Sequence, residues 1–146
     1  MKKCTLIALM GVFSLAGMGS AHAEDSPYTL GPVTQVTSVR TVWGKTGEYM
    51  KYLGTTWKQE QEAAKKAGII VGYQVFLQNP ATADDADIVL AVTMKNWAAF
   101  DTLDDKLAEI DKTIEGSDAA AAKGNVDRNA IRHILSIKNI QGVTLK

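Results

Sequence analysis

Two apolar stripes at helical spacing, each held between strand-like runs, constrain this chain more than any other feature. Tyr49, Leu53, Trp57, Gln61 and Ala64 recur every three or four positions, while Lys51, Lys58, Glu62 and Lys65 fall on the other side. That is the period of one face of a helix, and Gly68 stands where a helix-ending glycine belongs. Phe100, Leu103, Leu107, Ile110 and Ile114 draw a second stripe behind Asn96, a good helix cap. Residues 33–42, 69–77, 88–94 and 131–140 are rich in β-branched and aromatic side chains and read as strands. Gly116-Ser117-Asp118 closes the second helix. Residues 119–122 add one further helical turn at most, because Lys123-Gly124-Asn125 is expected to stop it. The order strand, helix, strand, strand, helix, strand is the split βαβ, ferredoxin-like plan. The expected class is α+β: a βαββαβ chain forming a four-stranded antiparallel sheet with two helices on one face.

The chain begins with a targeting signal. Lys2 and Lys3 precede an apolar run from Leu6 to about Ala16, and small residues lead to Ala21-His22-Ala23. A basic start, an apolar stretch too short to span a bilayer and an A-x-A ending describe a cleavable secretory signal peptide, with Ala21 and Ala23 as the cleavage signature. Cys4 precedes the apolar run, so lipidation is not expected. Cleavage after Ala23 leaves residues 24–146, in which residues 24–32 form an extended leader and 33–146 one domain. That part has no cysteine, which excludes disulfides and thiolate chemistry. With Lys2 and Lys3 gone, fourteen bases stand against sixteen acids, a net charge of −2. Without a basic excess to neutralise phosphates, nucleic acid is not an expected partner. The expected location is a bacterial periplasm or the medium, with no membrane association once the signal is removed.

Alternation splits each strand into two sets of side chains. Ile69, Val71, Tyr73, Val75 and Leu77, with Ile88, Leu90, Val92 and Met94, are assigned to the face under the helices. Ile70, Gly72, Gln74 and Phe76, with Val89, Ala91 and Thr93, form a mixed second face too apolar in its middle to sit in water. Two cover readings stand: a homodimer that stacks two such faces, or shielding by the leader and residues 119–130.

The series Val39-Arg40-Thr41-Val42, Gly44-Lys45, Gly47-Glu48-Tyr49, Trp57 and Asn96-Trp97-Ala98-Ala99-Phe100-Asp101 resembles the dimeric α+β barrel superfamily. That group includes antibiotic-biosynthesis monooxygenase, NIPSNAP and stress-responsive barrel families. The resemblance spans residues 33–140 and implies a homodimer with a cavity between sheet and helices. It implies no single activity, since such proteins include cofactor-free oxygenases, haem-handling enzymes and proteins of no known reaction. The histidine, tryptophan and asparagine set of the haem-degrading relatives has no residue-by-residue counterpart here.

Candidate site residues are few. His133, the one histidine after cleavage, is a candidate base or axial haem ligand and equally an edge histidine of the last strand. Arg40, Trp43, Lys45, Tyr49 and Tyr52 cluster in sequence at the end of the first strand and offer cation–π and charge-assisted contacts. With Tyr73 and Phe76, Arg40, Trp43 and Tyr49 make the candidate ligand-binding set. Asp84, Asp85 and Asp87 lack the ligand spacing of a calcium loop, and no metal or cofactor is expected. No H-E-x-x-H, P-loop, G-x-S-x-G or C-x-x-C motif occurs. Three functions remain open: binding of a small apolar or aromatic molecule, cofactor-independent monooxygenase-type chemistry using His133, Arg40 and Tyr73, or a stress-related scaffold without ligand. N-terminal sequencing of the exported protein is expected to begin at Glu24; a start at Met1 in that fraction would contradict the cleavage.

Overall fold

In a computed structural model, which describes residues 26–146, four strands make one antiparallel sheet in the order β2-β3-β1-β4. Strand β1 is Tyr28–Thr41, β2 Gly72–Leu77, β3 Ile88–Met94 and β4 Arg132–Leu145. Between β1 and β2 runs a helix in three parts: α1 (Thr46–Tyr52), a π-helical turn (Leu53–Trp57) and α2 (Lys58–Lys66). A 3₁₀ turn (Trp97–Thr102), α3 (Leu103–Glu115) and α4 (Asp118–Arg128) connect β3 to β4. This is the expected ferredoxin-like arrangement, with β1 and β3 as the inner strands. The signal peptide, with Ala21 and Ala23, lies outside the described residues.

Local chemistry explains the stops and starts. Gly68 and Gly116 take positive φ and end their helices. The side chain of Asn96 accepts from the Ala99 amide and opens the 3₁₀ turn. The π-helical turn was not anticipated. It contains Gly54-Thr55-Thr56, poor helix formers, and the Thr55 hydroxyl donates back to the Lys51 carbonyl at 2.8 Å.

Three expectations need correction. The leader is not separate from the domain, since β1 begins at Tyr28 and pairs with β4 as far as Leu145. Gly31-Pro32 fits within the strand because the register shifts between Leu30 and Val33, where the missing proline N–H is not needed. Residues 118–128 form a full helix instead of one turn. Ser117 caps it, Lys123 pairs with Asp127 one turn on, and Arg128 reaches Glu115 of α3 at 3.8 Å in a largely buried setting. Gly124 helps, since a side chain there would run into the Glu115 and Arg128 tips. Finally, Ile70 is buried and Val71 exposed, the reverse of the expected phase. Strand geometry starts only at Gly72; before it the chain is still leaving the helix, with the Ile69 amide bonded to the Ala64 carbonyl. Leu77, at the far end of β2, is also exposed.

The core lies between the sheet and the helices, in two clusters. One joins Val39, Tyr49, Leu53, Trp57, Ile88, Leu90 and Ile131; the other joins Ala64, Ile70, Met94 and Leu103. Ile88 is fully buried, so Ile88→Ala should cost about 2–5 kcal/mol through lost transfer energy and the hole left behind. Val126→Ala, at an exposed site, should stay within about 0.5 kcal/mol. Urea melts of both variants check this, and equal losses would contradict the placement of the core.

Candidate functional site

The inward-facing side of β1 carries Val33, Gln35, Thr37, Val39 and Thr41. Val33 and Val39 are fully buried, but the two positions between them are polar. The two core clusters do not close over that polar middle. A cavity of about 170 Å³ remains, with Gln35 and Thr37 on the sheet and Trp57, Gln61, Leu103 and Leu107 on the helices. Leu90, Val92 and Met94 of β3 complete the floor.

Gln61 is the unusual member. The residue is only 7% exposed; its amide makes no hydrogen bond among the described residues, and its polar atoms are not sealed off but keep access to the space they border. Sealed against hydrocarbon, that amide would lose its water hydrogen bonds and get nothing back, a cost of roughly 1–3 kcal/mol that an open cavity avoids. Its place in the apolar stripe of the first helix sends it inward, and the cavity is the space it borders. Trp57, at the end of the π-helical turn, meets Tyr73 edge-on at 5.3 Å between ring centroids and offers the cavity an aromatic wall. Such π-turns concentrate at functional sites. Gln35 and Thr37 pair across to Asn139 and Ile137 of β4, both exposed, so the cavity gives onto solvent on the β4 side.

The residues expected from sequence lie elsewhere. Arg40 and Trp43 share a groove of about 490 Å³ with Thr46 and Asp87 at the end of β1. Trp43 is 99% exposed there. Arg40 lies on the face away from the helices and donates to the Asp85 carbonyl at 3.1 Å. His133 pairs across from Arg40 and is exposed; it does not border the cavity. Tyr49 is core, stacked at 5.9 Å on Tyr52. Tyr73 packs inward and its hydroxyl donates to Glu62. Phe76 stands on the open face. The aspartates serve the backbone: Asp85 accepts from the Thr82 amide, the main cause that lowers its pKa, and from the Ala81 amide, and Asp87 accepts from the amide and hydroxyl of Thr41. Sequence reasoning missed Gln35, Thr37 and Gln61 as a group. Their signal was present: polar side chains at positions whose period demands burial.

A second polar group gathers behind the helices. Glu60 of α2, Asp111 and Glu115 of α3 and Arg128 of α4 come together, with the Arg128 guanidinium 4.4 Å above the Tyr52 ring. Burial, then the Asp111 carboxylate, pushes Glu60 up to about 7, and the Arg128 charge offsets part of this. Asp111 is raised as well, by burial and then by Glu115. No group of histidine, cysteine and carboxylate side chains suited to a metal ion occurs among the described residues, and no helix there is long and apolar enough to cross a membrane.

No protein-family model matches the chain, and no curated protein matches it. Among solved structures it is similar to HapK from Hahella chejuensis, with 12% identity over 77% of this chain and 92% of that one and a TM-score of 0.46. It is similar also to protein SO0527 from Shewanella oneidensis, with 15% identity over 80% of this chain and 96% of that one and a TM-score of 0.45.

The raised Glu60 pKa has a defined sign. Between its ordinary 4.5 and about 7 the folded chain keeps a proton that the unfolded chain has released, so stability falls as pH rises through that window. Glu60→Gln should reduce the slope, the raised Asp111 keeping part of it, while leaving stability nearly unchanged at pH 4 and raising it by about 1–3 kcal/mol at pH 8. Thermal melts across that range check it; a variant as pH-dependent as the parent would contradict the assignment.

Proposed function

We propose that this is an exported homodimeric protein that binds a small molecule in the cavity between its sheet and helices. The observation that carries the reading is Gln61, a largely buried residue whose amide borders the cavity beside Gln35 and Thr37 without a hydrogen bond from the described residues. Such an amide would be costly to seal in a dry core and is useful against a ligand that bonds to it. Space between sheet and helices is also what the resemblance to the dimeric α+β barrel superfamily implies.

The homodimer is supported by the opposite face of the sheet. Phe76 is 45% exposed and Ile140 54%, with Val36, Val89 and Ala91 between them. The described part of the leader runs on as strand β1, and residues 118–128 pack as α4 against the helices, so neither supplies a cover. Two such faces stacked together would remove this apolar surface from water at about 25 cal/mol per Å². The alternatives of a monooxygenase or a scaffold gain nothing comparable, because His133 lies away from the cavity and the cavity is not filled by side chains.

Native mass spectrometry of the protein purified from its export compartment should report a dimer carrying a small molecule. Phe76→Lys should shift it to monomer by placing a charge in the apolar stack. A wild-type monomer that carries nothing would overturn the proposal.

A further inference from the structure

The chemistry of the cavity wall narrows what it accepts. This step rests on the cavity being a ligand site, as proposed above. Among the described residues that line it none is charged, so an ionised ligand would leave water with no counter-charge to meet it. Gln61, Gln35 and Thr37 do offer donors and acceptors: each amide supplies both an N–H and a carbonyl oxygen, and the threonine hydroxyl can act either way. A purely apolar ligand would displace water from the Gln61 amide and leave it without a partner. Size sets the other bound. A cavity of about 150 Å³ takes a single benzene ring, and this one is about 170 Å³. Trp57 gives an aromatic wall for edge-to-face or offset contact, and Met94, fully buried, adds a polarisable thioether.

We infer that the cavity selects neutral molecules the size of one ring that carry a hydroxyl or carbonyl group, the polar group bonding to Gln61 and the ring lying against Trp57 and Met94. Phenol is the simplest probe of that class. Toluene lacks the polar group, and benzoate replaces it with a charge.

Isothermal titration of the full mature chain with the three probes at neutral pH tests this. Phenol should bind at least about tenfold tighter than toluene, the difference one hydrogen bond to a buried group supplies. Benzoate should not bind. Gln61→Met, of similar length but without donor or acceptor, should bring phenol down to the toluene level and leave toluene unchanged. Thr37→Val gives a second, gentler removal of a polar group should the first variant fail to fold. Leu107→Phe, which fills the space, should abolish binding of all three. Toluene or benzoate binding as tightly as phenol, or phenol binding unchanged by Gln61→Met, would overturn the selectivity while leaving the cavity a ligand site. No binding by any probe to the wild-type chain would overturn the cavity reading itself.

Discussion

The inner face of β1 is apolar at both ends and polar at its midpoint. Val33 and Val39 anchor the strand under the helices, whereas Gln35 and Thr37 between them resist being sealed beneath hydrocarbon. An inner strand of a four-stranded sheet sits under the centre of the helix layer, so this choice of residues places polar groups between the two clusters of buried side chains, which Tyr73 and Val92 bridge. The helices answer it in kind. Gln61 projects into the same gap from α2, and the π-helical turn before it delivers Trp57 to the wall. A sequence optimised for stability alone would place leucine or valine at these three positions. Retaining amides and a hydroxyl where the period demands burial is the kind of local conflict that marks a functional site.

Much of the fold is legible in the residues, for reasons that are themselves physical. The stripes of Tyr49-Leu53-Trp57 and Phe100-Leu103-Leu107 announce the helices because burial on one side is the strongest constraint on an exposed helix. Gly68, Gly116 and Asn96 mark ends because positive φ and an orphan amide have few solutions. Legibility fails where tertiary contacts outvote local preference. Lys123-Gly124-Asn125 would break an isolated helix, yet the Arg128–Glu115 contact and the Ser117 cap hold it together, and the glycine leaves room for the pair. Val71 and Ile70 exchange places because alternation cannot be extended past the true start of β2.

The site was less legible than the fold. Aromatic and basic residues such as Arg40, Trp43 and His133 draw the eye, but the topology spreads them over a terminal groove and the face away from the helices. Gln61 was visible within a buried stripe, and Gln35 and Thr37 alternate with valines in plain view. Only the sheet register and the helix packing bring the three to one cavity. The Glu60, Asp111, Glu115 and Arg128 group was likewise invisible, being assembled from three helices whose mutual packing no period encodes.

The most direct measurement is a high-resolution crystal structure of the protein purified from its native source without added ligand. Electron density for a compact organic molecule within hydrogen-bond distance of the Gln61 amide, against Trp57, is the result expected. A gap closed by Trp57 and Leu107, with Gln61 turned to a partner within the protein, would show that the polar midpoint of β1 is a tolerated packing flaw and not a binding site.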